Sequence, residues 1–337
     1  MRLPARTTRR RRLPRSASKA LVEWYRANKR DLPWRGIDDP YAILVSEVML
    51  QQTQVATVLP FFGRFLERFP TADALATAPE SDCFAAWAGL GYYRRARNLR
   101  LAAGVIAESG WPDDLRSLPG VGDYTAAALG SIAFGRQEAC ADGNVRRVMS
   151  RLAGETLSLA DAQRASAAMM RGWVAGEWNQ AVMELGALVC TPAPKCNVCP
   201  LRRTCRAYAG GTQAEVPEPV KATAVQLDHV CACIVKGGRV ALRVALPGEW
   251  WQGMLVFPHA QVRENDCKFG AAGLLGLRDP RKLGTVRHTV ANHRVTLSAY
   301  MGQGSAPGVR WHAIDELQSL PLPAPQKRVA KMLEQAA

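Results

Sequence analysis

The spacing of apolar residues changes once along this chain, and that change limits the folds open to it. From about Ser18 to Tyr208 apolar residues recur every three or four positions, as in VRRVMSRL (145–152), which is the period of an amphipathic helix. From residue 224 onward this pattern gives way to short runs that suit β-strands. HVCACIVKGGRVALRVA (229–245) predicts two strands joined at a Gly-Gly turn, and TVRHTVANHRVTLSAY (285–300) predicts a second hairpin.

The two patterns are separated by AGGTQAEVPEPVKAT (209–223), a run of small, polar and proline residues that is typical of a linker. We therefore predict a basic, disordered arm over residues 1–17, a mainly α-helical domain over 18–208, and a smaller α/β domain over 224–337. A length of 337 residues suits two domains, and an apolar fraction of 48% is enough to build their cores.

The charge balance points to an anionic partner. Lys and Arg outnumber Asp and Glu by 44 to 29, which gives a net charge of +15, and nucleic acid suits that excess better than a membrane surface. No run of 18 apolar residues exists, and the arm RTTRRRRLPR (6–15) lacks the apolar core of a secretory signal. We expect a cytoplasmic, nucleoid-associated protein that has no membrane partner.

Nine cysteines are unevenly distributed. Five of them share no spacing and are expected to be reduced thiols: Cys83, Cys140, Cys231, Cys233 and Cys267. The other four lie in CTPAPKCNVCPLRRTC (190–205), which has the character of a ligand set. Four cysteines can hold either zinc or an iron–sulfur cluster, although zinc ribbons usually contain two CxxC motifs and this run contains one.

The stretch LPGVGDYTA (118–126) places two glycines immediately before a helical segment. Gly120 and Gly122 permit positive φ angles and a close approach of the backbone to a ligand, and the following helix offers free N–H groups to an anion. With a helix before it, this stretch predicts a helix-hairpin-helix that grips one DNA phosphate without reading sequence. Alone, the pattern is equally typical of an ordinary turn between helices.

Two carboxyl groups occupy opposite environments. Glu47 lies in PYAILVSEVMLQQTQV (40–55), where apolar residues surround it on nearly every side, so we predict a raised pKa for its carboxyl. Asp142, in ADGNVRRVMSRL (141–152), is predicted to cap a helix whose dipole keeps the carboxylate ionised. Each also has a purely structural interpretation, as a hydrogen-bonded glutamate and as a plain helix cap.

One neutral and one ionised carboxyl form the pair that cleaves a glycosidic bond, because an acid protonates the leaving group while an anion stabilises the cation. The chain is basic and carries a predicted phosphate-binding hairpin. An N-glycosidic bond in DNA therefore fits better than a bond in a sugar polymer, with the target base flipped out of the stack.

Several long motifs together resemble the endonuclease III superfamily of DNA glycosylases, and within it the adenine glycosylases of the MutY family. They are SEVMLQQTQV (46–55), GLGYYRRARNL (89–99), LPGVG (118–122), DGNVRRV (142–148) and the four-cysteine run. The resemblance covers about residues 20–210 strongly and 225–330 loosely. It implies a helix-hairpin-helix glycosylase fold with an iron–sulfur loop, followed by a Nudix-like domain, acting as a monomer on double-stranded DNA with an adenine mispaired with 8-oxoguanine or guanine.

The resemblance also assigns catalytic roles. Glu47 matches the acid that protonates adenine N7, Asp142 matches the carboxylate that stabilises the oxacarbenium ion, and Asn144 matches a helper beside that carboxylate. Bifunctional relatives carry a lysine where this chain has Tyr124, and that lysine forms a Schiff base with the sugar. Tyr124 has no amine, so the resemblance implies a monofunctional glycosylase.

Further positions match the family's DNA contacts. Its adenine pocket corresponds to Arg30, Trp34, Arg35 and Gln180. Gln52 and Thr53 match residues that touch the guanine opposite the adenine, and Tyr92 matches an aromatic wedge in the base stack. Arg94, Arg95 and Arg97 beside this tyrosine are chemically suited to phosphate contacts.

For the ligand set, the resemblance implies a [4Fe–4S] cluster on Cys190, Cys196, Cys199 and Cys205. The chain departs from the family in its first spacer, TPAPK, which has five residues where six are expected. Basic residues between the ligands suggest a contact with the DNA backbone: Lys195, Arg202 and Arg203.

The C-terminal domain resembles the Nudix-like reader of the family through ALPGEWWQGMLVFP (245–258). A working Nudix hydrolase needs a glutamate cluster for Mg²⁺, and this chain offers only Glu264 and Asp266 nearby, so we expect binding without hydrolysis. The family's reading loop for 8-oxoguanine is Phe-Ser-His, whereas this chain has Val290, Ala291 and Asn292. Asn292 can still hydrogen-bond the lesion, but we expect weak discrimination.

Three alternative functions differ from this one in the residues that they require. A zinc nucleobase deaminase requires an H-x-E motif, and none of the five histidines is followed two residues later by Glu. A non-catalytic DNA-binding module would have no need of Glu47 and Asp142. An endonuclease III-like glycosylase of another base specificity is disfavoured by the C-terminal domain and by Gln180.

Overall fold

A computed structural model of the chain describes residues 15–218, 223–262, 270, 272–273, 275–290 and 292–336. The basic arm up to residue 14 lies outside these ranges, as do Glu264, Asp266, Cys267 and Ala291. The described residues form two compact units: the first combines 15–66 with 105–218, and the second combines 67–104 with 223–336.

Helices dominate the part of the chain before residue 210. They are α1 Arg15–Asn28, α2 Pro40–Leu50, α3 Val55–Arg68, α4 Ala72–Thr77, α5 Glu80–Trp87, α6 Arg94–Ser109, α7 Asp123–Ala133, α8 Gly143–Ala153, α9 Leu159–Met170, α10 Ala175–Leu188 and α11 Arg206–Ala209, and a C-terminal helix, α12, spans Ala324–Glu334. No described helix is long and apolar enough to cross a membrane.

The first unit is built around α1, α8, α9 and α10. Their apolar stripes meet in one core that includes Leu21, Val148, Trp178 and Val182, all of them fully or almost fully buried. The apolar spacing of VRRVMSRL therefore predicted the inward face of α8 correctly. Helix α2 differs, because every residue from Tyr41 to Met49 is buried and the helix has no solvent face.

The second unit contains seven strands: β1 Val225–Lys236, β2 Arg239–Val244, β3 Leu255–Val256, β4 His259–Val262, β5 Leu277–Val290, β6 His293–Gly304 and β7 Arg310–Ala313. Along the sheet the order is β3-β2-β1-β6-β5, while β4 pairs with β1 and β7 pairs with β2. Both predicted hairpins are confirmed: β1 and β2 pair across the Gly237–Gly238 turn, and β5 and β6 pair antiparallel up to Val290 and His293.

The two faces of this sheet bury different cores. On one face Cys231, Cys233 and Leu297 pack beneath α12, whose Val329 and Leu333 are fully buried. On the other face Val230, Ala232 and Ile234 pack with Tyr300. The alternation along β1 follows from the two-residue period of a strand and explains why HVCACIV is apolar at every position after its histidine.

The described part of the predicted linker is tied to the first unit. Arg151 donates from Nε to the carbonyl oxygen of Val216 at 2.8 Å, and the amide of Glu218 donates to Thr156 Oγ1 at 2.8 Å. A run of small and polar residues therefore becomes ordered here because the buried Arg151 of α8 and the exposed Thr156 of the following turn bind its backbone.

Histidines and tryptophans gather at one end of the α12-covered face. The histidines are His229, His259, His288 and His293. Trp250 and Trp251 pack against them, with ring centroids 5.2 to 6.4 Å apart. Both ring nitrogens of His229 and of His288 are buried without a hydrogen-bond partner among the described residues.

These surroundings favour neutral imidazoles. Burial, together with the neighbouring His259 and His288, lowers the pKa of His229 to about 4. The pKa values of His259 and His288 are also lowered, chiefly by burial. Because the unfolded chain protonates these groups near their ordinary pKa of 6.5, the unfolded state binds more protons than the folded state below about pH 6.5, and for His229 this difference extends down to about pH 4.

We therefore predict that acid weakens the second unit. Its free energy of unfolding should fall as the pH drops from 6.5 to 4, by at most about 1.4 kcal/mol per pH unit for each of the three histidines. Urea unfolding of the full chain at several pH values measures this, and His229→Leu should reduce the slope. The control His312→Leu, on β7 outside the cluster, should keep it; equal slopes in all three proteins would refute the prediction.

Candidate active site

Helix α2 places a carboxylic acid in the interior of the first unit. The helix starts where Asp39 caps the amide of Tyr41 at 2.9 Å and Pro40 occupies the first turn. Glu47 lies in its second half and is 7% exposed. The pKa of Glu47 is raised to about 7: burial is the main cause, the nearby charge of Asp142 adds to the rise, and a hydrogen bond from Tyr124 opposes it. The predicted rise is confirmed.

Tyr124 reaches this carboxyl from the first turn of α7. Helices α2 and α7 pack together, and Gln51 Nε2 donates to Thr125 Oγ1 at 3.2 Å across them. The Tyr124 hydroxyl is hydrogen-bonded to Glu47 and also contacts Met183 Sδ at 3.1 Å. Burial and the neighbouring Glu47 raise the pKa of the Tyr124 phenol well above its ordinary value, so the phenol stays protonated.

Asp142 occupies the predicted N-cap of α8. Its Oδ1 accepts from the amide of Val145 at 2.7 Å, and its Oδ2 accepts from Asn144 Nδ2 at 2.8 Å. These bonds fix the orientation of the carboxylate. Asp142 is more than a cap, because it lies close enough for its charge to raise the pKa of Glu47.

A third group at this place, Cys140, was not predicted from the sequence. Cys140, two residues before Asp142, is fully buried, and burial with the charges of Glu47 and Asp142 raises the pKa of its thiol well above the ordinary value. Its amide donates to Asn179 Oδ1 at 3.2 Å, so the backbone leading into Asp142 is anchored to α10. The thiol is therefore a neutral, apolar wall of the site.

A chain of hydrogen bonds joins Asp142 to the cysteine run. Asn144 donates to Asp142, and its own Oδ1 accepts from Arg147 Nη2 at 2.7 Å. Arg147 Nε then donates to the carbonyl oxygen of Cys190 at 2.7 Å, and its Nη2 also bonds the carbonyl of Gly186. Asp142, the predicted anion, is thus connected through Asn144 and Arg147 to the loop that carries the predicted cluster ligands.

Two of the residues predicted to form the adenine pocket, Arg30 and Arg35, meet at Glu184, a residue that was not predicted from the sequence. Arg30 and Arg35 both bind the carboxylate of Glu184, at 2.6 and 2.8 Å. Burial alone would raise the pKa of Glu184, but the two guanidinium groups outweigh it and lower the pKa to about 2. Gln180 accepts from the Tyr25 hydroxyl at 3.1 Å.

Trp34, Gln52 and Thr53 complete the predicted contacts in the first unit. Trp34 is buried and packs edge-on against Phe62, with ring centroids 5.4 Å apart. Gln52 follows α2, is exposed, and has a positive φ of 56°, which is rare for a residue with a side chain. Thr53 Oγ1 contacts the carbonyl oxygen of Gln51 at 3.4 Å.

The glycine hairpin differs in detail from the expectation. A single 3-10 turn, Leu115–Ser117, precedes it in place of a full helix, since α6 ends at Ser109. Gly120 has the expected positive φ of 80°, whereas Gly122 has φ −91° and is the N-cap residue of α7. A Cβ at Gly122 would meet no atom within 4 Å, so the space before α7 is open to a ligand.

The four cysteines of the 190–205 run line a single cavity with Arg151 and Tyr208. Arg151 donates to Cys190 Sγ at 3.4 Å, and Cys205 Sγ donates to the Arg151 carbonyl oxygen at 3.3 Å. The amide of Lys195 bonds the carbonyl of Val189 at 2.9 Å, so the five-residue spacer closes and still directs Cys190 to the shared cavity.

The donor set of this cavity is thiol only, which suits zinc or an iron–sulfur cluster. Four cysteines around one cavity supply the four thiolate ligands that a [4Fe–4S] cluster takes.

In the second unit Tyr92 is 37% exposed and has a positive φ of 50°. The neighbouring arginines do not all behave as expected from the sequence. Arg94 is exposed, but Arg95 is 8% exposed, and Arg97 binds Glu80 at 2.6 Å and the carbonyl oxygen of Gln252 at 2.8 Å. The expectation of a phosphate contact is therefore wrong for Arg95, whose guanidinium is enclosed by protein.

The predicted reading loop is the turn between β5 and β6. Val290 ends β5, and Asn292 donates from Nδ2 to the carbonyl oxygen of Thr223 at 3.2 Å. The backbone carbonyl of Asn292 also accepts from Val225 at 2.9 Å. The Asn292 amide is exposed but already engaged within its own unit.

Comparison with known proteins gives two matches along the chain. Residues 45–173 match the family described as HhH-GPD superfamily base excision DNA repair protein, and residues 229–332 match the NUDIX domain. Among solved structures, a thermostable thymine-DNA glycosylase aligns with a TM-score of 0.53 at 26% identity, covering 57% of this chain and 95% of that chain. A trapped endonuclease III–DNA covalent intermediate aligns with a TM-score of 0.52 at 22% identity, covering 59% and 99%, and shares the fold.

Curated relatives include several adenine DNA glycosylases. The human one is 35% identical over 321 residues, which covers 89% of this chain and 58% of that relative. The one from Mycobacterium tuberculosis (strain ATCC 25618 / H37Rv) is 42% identical over 212 residues, which covers 58% of this chain and 69% of the relative. Against the mammalian relatives this chain spans between 41% and 58% of their length.

The contacts of Glu47 predict opposite effects for two neighbouring substitutions. Tyr124→Phe removes the hydrogen bond that lowers the pKa of Glu47, so this pKa should rise above about 7. Asp142→Asn removes a charge that raises it, so the pKa should fall. Carboxyl ¹³C NMR of labelled Glu47 measures both, with Cys140→Ala as a control that removes a neutral neighbour. Shifts of the same sign in the two variants would contradict the assigned contacts.

Proposed function

This chain belongs to the adenine DNA glycosylase family, and on that premise we propose that it hydrolyses the N-glycosidic bond of adenine in double-stranded DNA. The observation that carries the proposal is the pair formed by Glu47 and Asp142. One carboxyl is buried with a pKa of about 7, and the other, at the N-cap of α8, lies close enough for its charge to act on the first. An acid and an anion at one place are what departure of a base from a sugar requires.

In the proposed reaction Glu47 protonates adenine N7 and makes the base a better leaving group. Loss of the base leaves positive charge on the sugar, and Asp142 stabilises that charge until water adds. Asn144 holds Asp142 by the 2.8 Å bond to Oδ2, and Arg147 in turn holds Asn144. Tyr124 keeps the Glu47 carboxyl oriented through its hydroxyl.

Strand cleavage is absent from this reaction. A lyase needs an amine that attacks the sugar, and the side chain beside Glu47 is the phenol of Tyr124, whose pKa is raised. The chain is proposed to be a monofunctional glycosylase that leaves an intact abasic strand.

We propose a mispair with 8-oxoguanine or guanine as the substrate, acted on by a monomer. Gln52 and Tyr92 support this assignment, because both are exposed and hold a positive φ that side chains rarely adopt. The reading turn has no aromatic wedge, and the Asn292 amide is engaged with Thr223. Preference for 8-oxoguanine over guanine should therefore be small.

For DNA binding we propose that the open N-terminus of α7 at Gly122 receives one phosphate.

Relatives in this family suggest an iron–sulfur cluster in general. We propose the [4Fe–4S] form, held by Cys190, Cys196, Cys199 and Cys205, where it fixes the loop that binds Arg147. Lys195, Arg202 and Arg203 then present positive charge to the DNA backbone.

The decisive experiment incubates the protein with duplexes that carry adenine opposite 8-oxoguanine, guanine or thymine. We expect strand breaks only after alkali. In Glu47→Gln the single-turnover rate should fall by a factor of at least ~10²–10⁴, while binding is retained. Glu67→Gln, an exposed glutamate on α3, is the matched control. A T:G duplex tests the likeness to a thymine-DNA glycosylase; release of thymine but not adenine would refute the proposed specificity.

Metal analysis tests the cluster. The purified protein should be brown and contain about four irons per chain. Cys199→Ser should lose the iron, whereas Cys231→Ser, which alters a fully buried thiol in the second unit, should keep it. One zinc per chain without iron would show that the cluster assignment is wrong.

A further inference from the structure

The loop between α5 and α6 holds Tyr92 in a conformation that needs support. Tyr92 has φ 50° and is 37% exposed, so its ring stands on the surface from a left-handed backbone. Gly89 and Gly91 beside it have φ 113° and 72°, where glycine is unstrained. Strained non-glycine residues persist only where surrounding contacts hold them, and the source of that support can be identified here.

Arg95 lies directly beneath this loop. Its guanidinium carbon is 5.4 Å from the Tyr92 ring centroid and 5.5 Å from the Trp87 ring centroid, so the cation contacts the faces of two aromatic rings. Its Nη2 donates to the carbonyl oxygens of Leu90 and Gly91, at 3.3 and 3.2 Å. These are the two residues immediately before Tyr92.

Trp87 completes the support. Its indole Nε1 donates to the same carbonyl oxygen of Gly91 at 3.1 Å. The backbone before Tyr92 is therefore fixed by a guanidinium and an indole, while the face of the Tyr92 ring rests on the guanidinium. Arg95 is 8% exposed, so protein encloses the cation and strengthens both kinds of contact.

We propose that Arg95 is the positioning residue for Tyr92: it stacks under the ring and binds the preceding carbonyls, so that the ring is preset to enter the base stack of DNA. This inference rests on the proposed function, in which Tyr92 is the wedge. A planar guanidinium can stack and donate at once, whereas a lysine ammonium in the same place keeps the charge and loses the planar fork. The exposed neighbour Arg94 has no such enclosed position.

The test reads insertion of the wedge without requiring catalysis. The full-length protein is saturated with a duplex in which 8-oxoguanine faces a 2′-fluoro adenine nucleotide, which resists hydrolysis, and 2-aminopurine sits beside the lesion. Unstacking of 2-aminopurine raises its fluorescence. We compare wild type, Arg95→Lys, Tyr92→Ala and the matched control Arg94→Lys, and we measure binding to an undamaged duplex and the thermal unfolding of each.

We expect Tyr92→Ala to abolish the rise and Arg95→Lys to shift the inserted-to-withdrawn equilibrium about tenfold toward withdrawn, with Arg94→Lys like wild type. Binding of Arg95→Lys to undamaged duplex should stay within a factor of about two, because that binding is dominated by phosphate contacts. The same variant should lose less excision when adenine faces an abasic site, where unstacking is easier.

Three outcomes would overturn the inference. Full fluorescence in Arg95→Lys, with loss in Tyr92→Ala, would show that the wedge needs no support from Arg95. Full fluorescence in Tyr92→Ala would show that no wedge exists at this residue. Equal losses of fluorescence and of undamaged-duplex binding in Arg95→Lys would show general damage to the fold. Failure of the proposed function itself appears separately, as absence of adenine release by wild type.

Discussion

The burial of one ionisable carboxyl, Glu47, is the constraint around which the first unit is arranged. A carboxyl whose pKa is about 7 in the folded chain and 4.5 as a free side chain destabilises the fold above pH 7 by about 3 kcal/mol, because the unfolded state releases its proton more readily. The apolar side chains that α2 buries around Glu47 stabilise the fold and so offset this penalty. The hydrogen bond from Tyr124 on α7 lowers the pKa of Glu47 and so reduces the penalty.

The second carboxyl, Asp142, is held in place by the N-terminus of a helix. Asp142 is the N-cap of α8 and accepts from the amide of Val145. That helix is anchored at both ends: Gly154 closes it with a positive φ, and Arg147 and Arg151 bind the loop of the cysteine run. A cluster held by that loop would stiffen the same helix without touching the reacting atoms. The position of the Asp142 carboxylate and the conformation of the loop are thereby coupled through the hydrogen bonds of Asn144 and Arg147.

Sequence patterns predicted those features that depend on local order. Glu47 was recognisable from its apolar helix, Asp142 from its cap position, and both hairpins from alternation and a Gly-Gly turn. Features made by residues far apart were not recognisable. Glu184 gains its role only because Arg30 and Arg35 approach from about 150 residues away, and the histidine cluster depends on the register of four strands. Arg95 was wrongly predicted to contact phosphate, because the sequence shows that its side chain is charged but not that the folded protein buries it.

The pH dependence of single-turnover adenine release tests the central claim most directly, because it reports the protonation state of Glu47 during the reaction. Between pH 6 and pH 9 the rate should be highest at the acid end and fall about tenfold per pH unit above the pKa of the Glu47 carboxyl, near 7. In Tyr124→Phe the break should move to higher pH. A rate that is constant over this range, or that rises with pH, would contradict an acid held neutral by burial.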